Sequence, residues 1–208
     1  MIYLIGGAPR CGKTILSKKI AVKKRISWIS TDTIRSMVLA STAKSLVSKK
    51  FPFEKLQKGG PYADLESTAP HTLLRAEITE SRSIWPSVRS MIEKLIESQE
   101  DFVIEGVHLL PALVAQLKTT PYWKQLRPVY LVKCDLAEIE EGFSRNASRH
   151  DWLASALTNE SLRNKAARYV QTESLFLSKE AKKYGFLCVD TGKEFQKKLT
   201  TAAESVRT

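Results

Sequence analysis

Gly7-Ala8-Pro9-Arg10-Cys11-Gly12-Lys13-Thr14 is the stretch on which the reading of this chain turns. It follows the apolar run Ile2 to Ile5 and leads into a helical pattern over 13–24, with Leu16 and Ile20 one turn apart. The spacing G-x-x-x-x-G-K-[ST] between a strand and a helix is that of a phosphate cradle. Each fixed position has a physical reason. Glycines let the backbone wrap closely around phosphate oxygens, at which successive N–H groups and the helix N-terminus are aimed. Lys13 reaches the β- and γ-phosphates, and the Thr14 hydroxyl completes a magnesium shell. The expected cofactors are ATP and Mg²⁺, with nucleotide contacts from Gly7, Ala8, Pro9, Arg10, Cys11, Gly12, Lys13, Thr14 and Ile15. A glycine turn that merely caps a helix gives no reason for lysine and threonine to follow. Cys11 reads as a small loop residue, because no base lies near it in sequence.

Outward from the cradle, short apolar runs alternate with helical stretches, the signature of β-α units around a parallel sheet. Strands are expected at Ile2 to Ile5, Ile26 to Ser30, Phe102 to Ile104, Val129 to Lys133 and Phe186 to Val189. Their near-continuous apolar character suits strands covered on both faces. Asp135 and Glu138 have the spacing of a helix start running towards Phe143. Gly185 closes a helix over 160–184. Residues 71–84 read as helical, with Pro86 opening a further helix to Ser98. The fold class is α/β, a three-layer α/β/α sandwich on a five-stranded parallel sheet, with residues 1–208 as one domain. The exception to tight alternation is the stretch between Ser41 and Pro70, with Pro52, Gly59, Gly60, Pro61 and five lysines. It shows no clear periodicity and begins an expected acceptor-binding insertion over about 41–98.

A chain of 208 residues with 43% hydrophobic and 26% charged residues has the composition of an ordinary globular domain. Cys11, Cys134 and Cys188 are too few and too dispersed for a disulfide framework or a zinc site. The N-terminal residues lack the pattern of a signal peptide, and no apolar stretch is long enough to span a bilayer. A cytoplasmic protein without a membrane partner is expected. The formal net charge of +11 favours anionic partners without choosing among them.

Acceptor chemistry is sought after the second strand, in Ser30-Thr31-Asp32-Thr33-Ile34-Arg35. Asp32 suits the N-cap of the next helix, with Arg35 on the surface. Equally, a carboxylate at the carboxyl end of a strand beside the cradle stands where ligands gather in open α/β sheets. There Asp32 can take a proton from an attacking hydroxyl, and Arg35 can hold an anionic group. Glu105 ends the third strand, where it can hold a magnesium-bound water or serve as a buried turn residue. His108, alone in an apolar stretch, reads as packed core.

The run Gly6 to Thr14, the TDTIR segment, Ile104-Glu105-Gly106-Val107-His108 with Pro111, and Ser83 to Val88 together resemble small-molecule P-loop kinases. They are most similar to the 2-phosphoglycerate kinase-like group. The resemblance covers most of residues 1–150 and implies a P-loop NTPase fold of the nucleotide and shikimate kinase type. It also implies Asp32 as base, Arg35 as acceptor contact, and Glu105 near metal or acceptor. Related kinases carry a lid after the fourth strand, which maps to about 144–160. Its arginines, Arg145 and Arg149, lie one turn apart and would close on the transferring phosphate; otherwise they end a solvated helix. Val189-Asp190-Thr191-Gly192 would lie beside the adenine.

The leading expectation is an ATP-dependent kinase acting on a small anionic metabolite. A polynucleotide 5′-hydroxyl or nucleoside kinase is the alternative, prompted by the charge and the insertion lysines. A switch ATPase is the third reading, which the Asp32–Arg35 pair argues against. Bases stacking on Phe51, Phe53 or Tyr62 would support nucleic acid; the competing role of these rings is to pack the insertion onto the body.

Overall fold

The computed structural model describes residues 1–56, 68–145 and 160–205. Five strands, β1 (Ile2–Gly7), β2 (Ser27–Ser30), β3 (Phe102–Glu105), β4 (Leu126–Val132) and β5 (Leu187–Asp190), form one parallel sheet in the order β2-β3-β1-β4-β5. The expected three-layer α/β architecture is present. β1 sits at the centre, with Ile2 beside both Phe102 and Leu126, and its six residues are buried throughout. The loop after β1 therefore emerges at the middle of the sheet's carboxyl edge, flanked by the ends of β3 and β4.

Two expectations about the strands need correcting. β2 and β5 are not buried on both faces: they are the sheet edges, and Ser27, Trp28 and Leu187 are exposed. An edge strand has one neighbour, so part of its surface meets solvent whatever its composition.

The helices are α1 (Lys13–Lys24), α2 (Thr31–Ala40), α3 (Lys44–Lys50), α4 (Phe53–Leu56), α5 (Pro70–Glu97), α6 (Pro111–Val114), α7 (Leu136–Arg145), α8 (Glu160–Lys183) and α9 (Phe195–Ser205). Two 3₁₀ turns, Ala115–Thr119 and Trp123–Gln125, join α6 to β4. α7 starts as its spacing predicts, the Glu138 N–H donating to Asp135 Oδ1 at 3.1 Å. α8 ends at Gly185, which takes φ +66° while Phe186 N–H donates to Ala181 O.

α5 overturns the division at Pro86: one helix runs through it. An interior proline costs roughly 3 kcal/mol. The residues around it, Ile84, Trp85, Val88 and Ile92, are all core, each stabilising by about 1.5–3 kcal/mol on burial. Packing outweighs the lost hydrogen bond. The segment after Ser41 is likewise more ordered than its sequence suggests, since α3 and α4 occupy 44–50 and 53–56. Lys58 and Tyr62 of the expected insertion lie outside the described residues. So do Arg149 and most of the expected lid, and of Arg145 only the backbone, at the end of α7, is described.

Candidate active site

The cradle is built by close backbone approach. A side chain at Gly7, where φ is +146°, would put its first carbon 2.1 Å from Leu131 O of the neighbouring strand. Ala8 N–H donates to the same carbonyl at 3.2 Å, fixing the loop to β4. On its far side the loop is held by the segment after β5, where Thr191 Oγ1 donates to Cys11 O at 3.0 Å. Arg10 donates to Gly142 O at 3.0 Å and lies over the Phe143 ring, tying the loop to α7. Burial pushes the Cys11 thiol up to about 12, so at neutral pH it holds its proton and is no nucleophile.

Lys13 is buried and donates from Nζ to Ala8 O at 2.8 Å, folding its ammonium back over the loop. Thr14 Oγ1 donates to Glu105 Oε1 at 3.0 Å, which brings the end of β3 against the start of α1. Burial raises Glu105 above the usual carboxylate range, while Lys13 and the Thr14 hydrogen bond pull it back. A hydroxyl and a carboxylate side by side under a lysine are the donor set that a nucleotide-bound magnesium ion takes.

Asp32 is not the helix cap. That role belongs to Ser30, whose Oγ accepts the Asp32 backbone N–H at 3.1 Å. The Asp32 carboxylate is free of capping duty. It is 68% exposed and 3.7 Å from His108 Nδ1. Arg35 is placed differently from a surface residue or an open anion contact. It pairs with Glu54 Oε1 at 2.9 Å and with the fully buried Glu80, whose other oxygen accepts Phe53 N–H at 2.8 Å. The guanidinium thus ties α2 to α4 and α5. Phe51 beneath it is buried and Phe53 is half-buried, so both pack the insertion onto the body and neither offers a platform for a base.

No protein-family model matches the chain, and no curated protein matches it. Among solved structures, a gluconokinase from Sinorhizobium meliloti 1021 matches with a TM-score of 0.54 at 15% identity, covering 98% of this chain and 90% of its own. A shikimate kinase from Bacteroides thetaiotaomicron matches with a TM-score of 0.51 at 12% identity, covering 100% of this chain and 96% of its own. The fold is the shikimate kinase-like P-loop fold. At these identities the likeness is one of architecture.

Within this P-loop fold, Lys13, Thr14 and Glu105 meet around the cradle, and Asp32 stands at the adjoining strand end. Three acids, Glu77, Glu80 and Glu173, were missed, and His108 is buried as expected but among polar partners. His108, Glu77 and Glu173 are buried, and Tyr169 OH donates to Glu77 Oε2 at 3.4 Å. Tyr169 also lies against Glu173 and lowers its pKa, though neither Glu173 oxygen has a partner at hydrogen-bonding geometry. The signal was in the sequence. Glu77 and Glu80 share the buried stripe of α5 with Leu73 and Ile84, and Glu173 shares that of α8 with Val170 and Leu177. Acids at core positions of a helix carry a desolvation cost that plain packing would not incur. Among the described residues no group of three or more potential ligands is disposed to hold a metal by itself, and no helix is long and apolar enough to cross a membrane.

Burial raises Glu173 from 4.5 to about 7, against the opposing pull of Lys13 and Tyr169. In the folded chain it keeps a proton that the unfolded chain gives up above 4.5. Its contribution to stability is therefore complete below that pH and is lost as pH rises through 7. Glu173→Gln should raise the melting temperature at pH 8 and leave the difference from wild type much smaller at pH 5, as read by thermal unfolding at both values.

Proposed function

We propose that this chain transfers the γ-phosphate of ATP to a hydroxyl group of a small molecule. The observation that carries the reading is the Asp32 carboxylate, released from capping by Ser30 and facing solvent beside the cradle. A loop that only binds or hydrolyses a nucleotide needs no such carboxylate on its acceptor side. ATP with magnesium supplies the activated phosphoryl group. Lys13 would turn from Ala8 O to the phosphate oxygens, and Thr14 and Glu105 would hold a magnesium ion that neutralises charge on them. Asp32 accepts the proton of the attacking hydroxyl, and Arg145 and Arg149 stand in the segment that would cover the reaction. An anionic acceptor group fits by taking the place of Glu54, the more exposed of the two partners on Arg35. The segments that resemble the 2-phosphoglycerate kinase-like group, TDTIR and the run from Ile104 to His108, carry Asp32, Arg35 and Glu105, which supports an acceptor of that small, anionic kind.

The test is transfer from γ-labelled ATP, screened against phosphoglycerates, sugar acids, sugars, nucleosides and 5′-hydroxyl RNA. Labelled product is expected from a small hydroxy acid or its phosphate. Labelling of the RNA alone would move the assignment to nucleic-acid ends. Hydrolysis with no labelled acceptor in any class would replace the kinase reading with that of an ATPase.

A further inference from the structure

The carboxylate assigned above as base stands on a helix start that is held from below by a buried polar chain. His108 follows β3 and is 3% exposed. Its Nδ1 lies 2.9 Å from Thr31 Oγ1 and 3.7 Å from Asp32 Oδ1. Its Nε2 faces Glu77 Oε1 of α5 at 3.5 Å, and the other Glu77 oxygen accepts from Tyr169 of α8. The approach is close because the turn before His108 is glycine. At Gly106, φ is +153°, and a first side-chain carbon would fall 1.8 Å from Thr31 Oγ1. The loop after β3 and the start of α2 are therefore interlocked at the residue next to Asp32.

A histidine that merely filled space here would be a costly choice, because an apolar side chain of equal volume needs no partners. Its protonation follows from what surrounds it. Burial, with the charges of Glu173, Glu80 and Asp32, pushes Glu77 well above the carboxylate range, against the pull of Arg35. Burial pushes His108 down to about 4, so the ring is neutral. Nε2 stands 3.5 Å from a Glu77 oxygen that has no partner at hydrogen-bonding geometry, whereas Nδ1 is within hydrogen-bonding distance of Thr31 Oγ1; a ring proton on Nδ1 is directed at that oxygen, with Asp32 beyond it.

We propose that His108 is a positioning residue for Asp32: fixed from behind by Glu77, its Nδ1–H holds the Thr31–Asp32 helix start and keeps the Asp32 carboxylate turned to the cradle. The proposal rests on the reading of Asp32 as base. His108 itself touches neither nucleotide nor acceptor. Its part is orientation, and a displacement of about 1 Å at a reacting group can cost on the order of 10²-fold in rate.

Three substitutions in the full chain separate orientation from packing. His108→Asn keeps an N–H near the place of Nδ1, His108→Gln puts its amide near Nε2, and His108→Leu keeps only volume. Turnover is read with γ-labelled ATP, using the acceptor identified in the screen and, in parallel, water. His108→Leu and His108→Gln should each lose up to about 100-fold in kcat with the KM for ATP unchanged, while His108→Asn retains most of it. Equal losses in all three, or full kcat in His108→Leu, would overturn the proposal. The wild-type ring gives a second measurement that depends on no variant folding. Its ¹⁵N spectrum at pH 7 should show the neutral Nδ1–H tautomer, with the Nδ1 signal displaced in Asp32→Asn. An Nε2–H tautomer, or a signal indifferent to Asp32→Asn, would sink the idea even if the kinase reading stands. Full turnover in Asp32→Asn would instead remove the base, and this proposal with it.

Discussion

Lys13→Ala is expected to reduce phosphoryl transfer by about 10²–10³-fold or more while the protein stays folded, because a preorganised charged donor at the transferring phosphate is lost. In the structure the side chain is folded into its own cradle, with Nζ on Ala8 O. The apolar contacts of the buried face of α1 are supplied by Leu16 and Ile20, one and two turns further on. Removing it forfeits one backbone-directed hydrogen bond, a net loss of about 0.5–1.5 kcal/mol. It also removes the positive charge that holds down Glu105, Glu173 and Cys11. The two carboxyls then hold their protons to higher pH, which partly compensates for the missing ammonium. Labelled-ATP transfer, isothermal titration with ATP and urea unfolding together check this. A folded variant with wild-type transfer would leave the cradle without a catalytic role. A variant that fails to fold would make Lys13 structural.

Asp32→Asn should lower kcat by about 10²–10⁴, the usual loss of a general base, with the KM for ATP nearly constant. The substitution is clean because the cap of α2 is made by the Ser30 side chain and the backbone N–H of residue 32, both of which survive. What is lost besides the base is a negative charge in the first turn of the helix, worth about 0.3–1 kcal/mol. Steady-state kinetics and a melting curve therefore read two different roles of one side chain. Unchanged turnover with a small fall in melting temperature would return Asp32 to the helix dipole alone.

The cradle was legible because its chemistry constrains residue type at fixed spacing. Gly7 has no room for a side chain, and at residue 14 only threonine or serine offers the hydroxyl assigned beside Lys13. The sheet was legible because buried strands need continuous apolar runs, and the runs stand where the strands are. Position within the sheet was not, since nothing local to Ser27–Ser30 says that β2 has one neighbour instead of two. Ser30 and Asp32 are both good caps, and only the backbone decides between them. The continuity of α5 was hidden by Pro86, whose local cost is outweighed by contacts with residues far away in sequence. Arg35 looked available because its partners, Glu54 and Glu80, are brought to it by tertiary structure. The acids behind the site were visible as breaks in two apolar stripes, but a glutamate in a stripe acquires meaning only when the loop after β3 delivers His108, or α8 delivers Tyr169, to it.

The strand order also governs how this chain is made. β1 is synthesised before either of its neighbours in the sheet, β3 and β4, and the pair Ile2 and Phe102 is separated by 100 positions. At roughly 5–20 residues per second, the ribosome takes on the order of 5–20 s to supply the first partner. Throughout that interval Ile2 to Ile5 is an unpaired apolar segment, the kind of segment that associates with other chains or is taken up by chaperones. The cradle loop therefore acquires its shape only once β4 has emerged and Leu131 is there to receive Ala8.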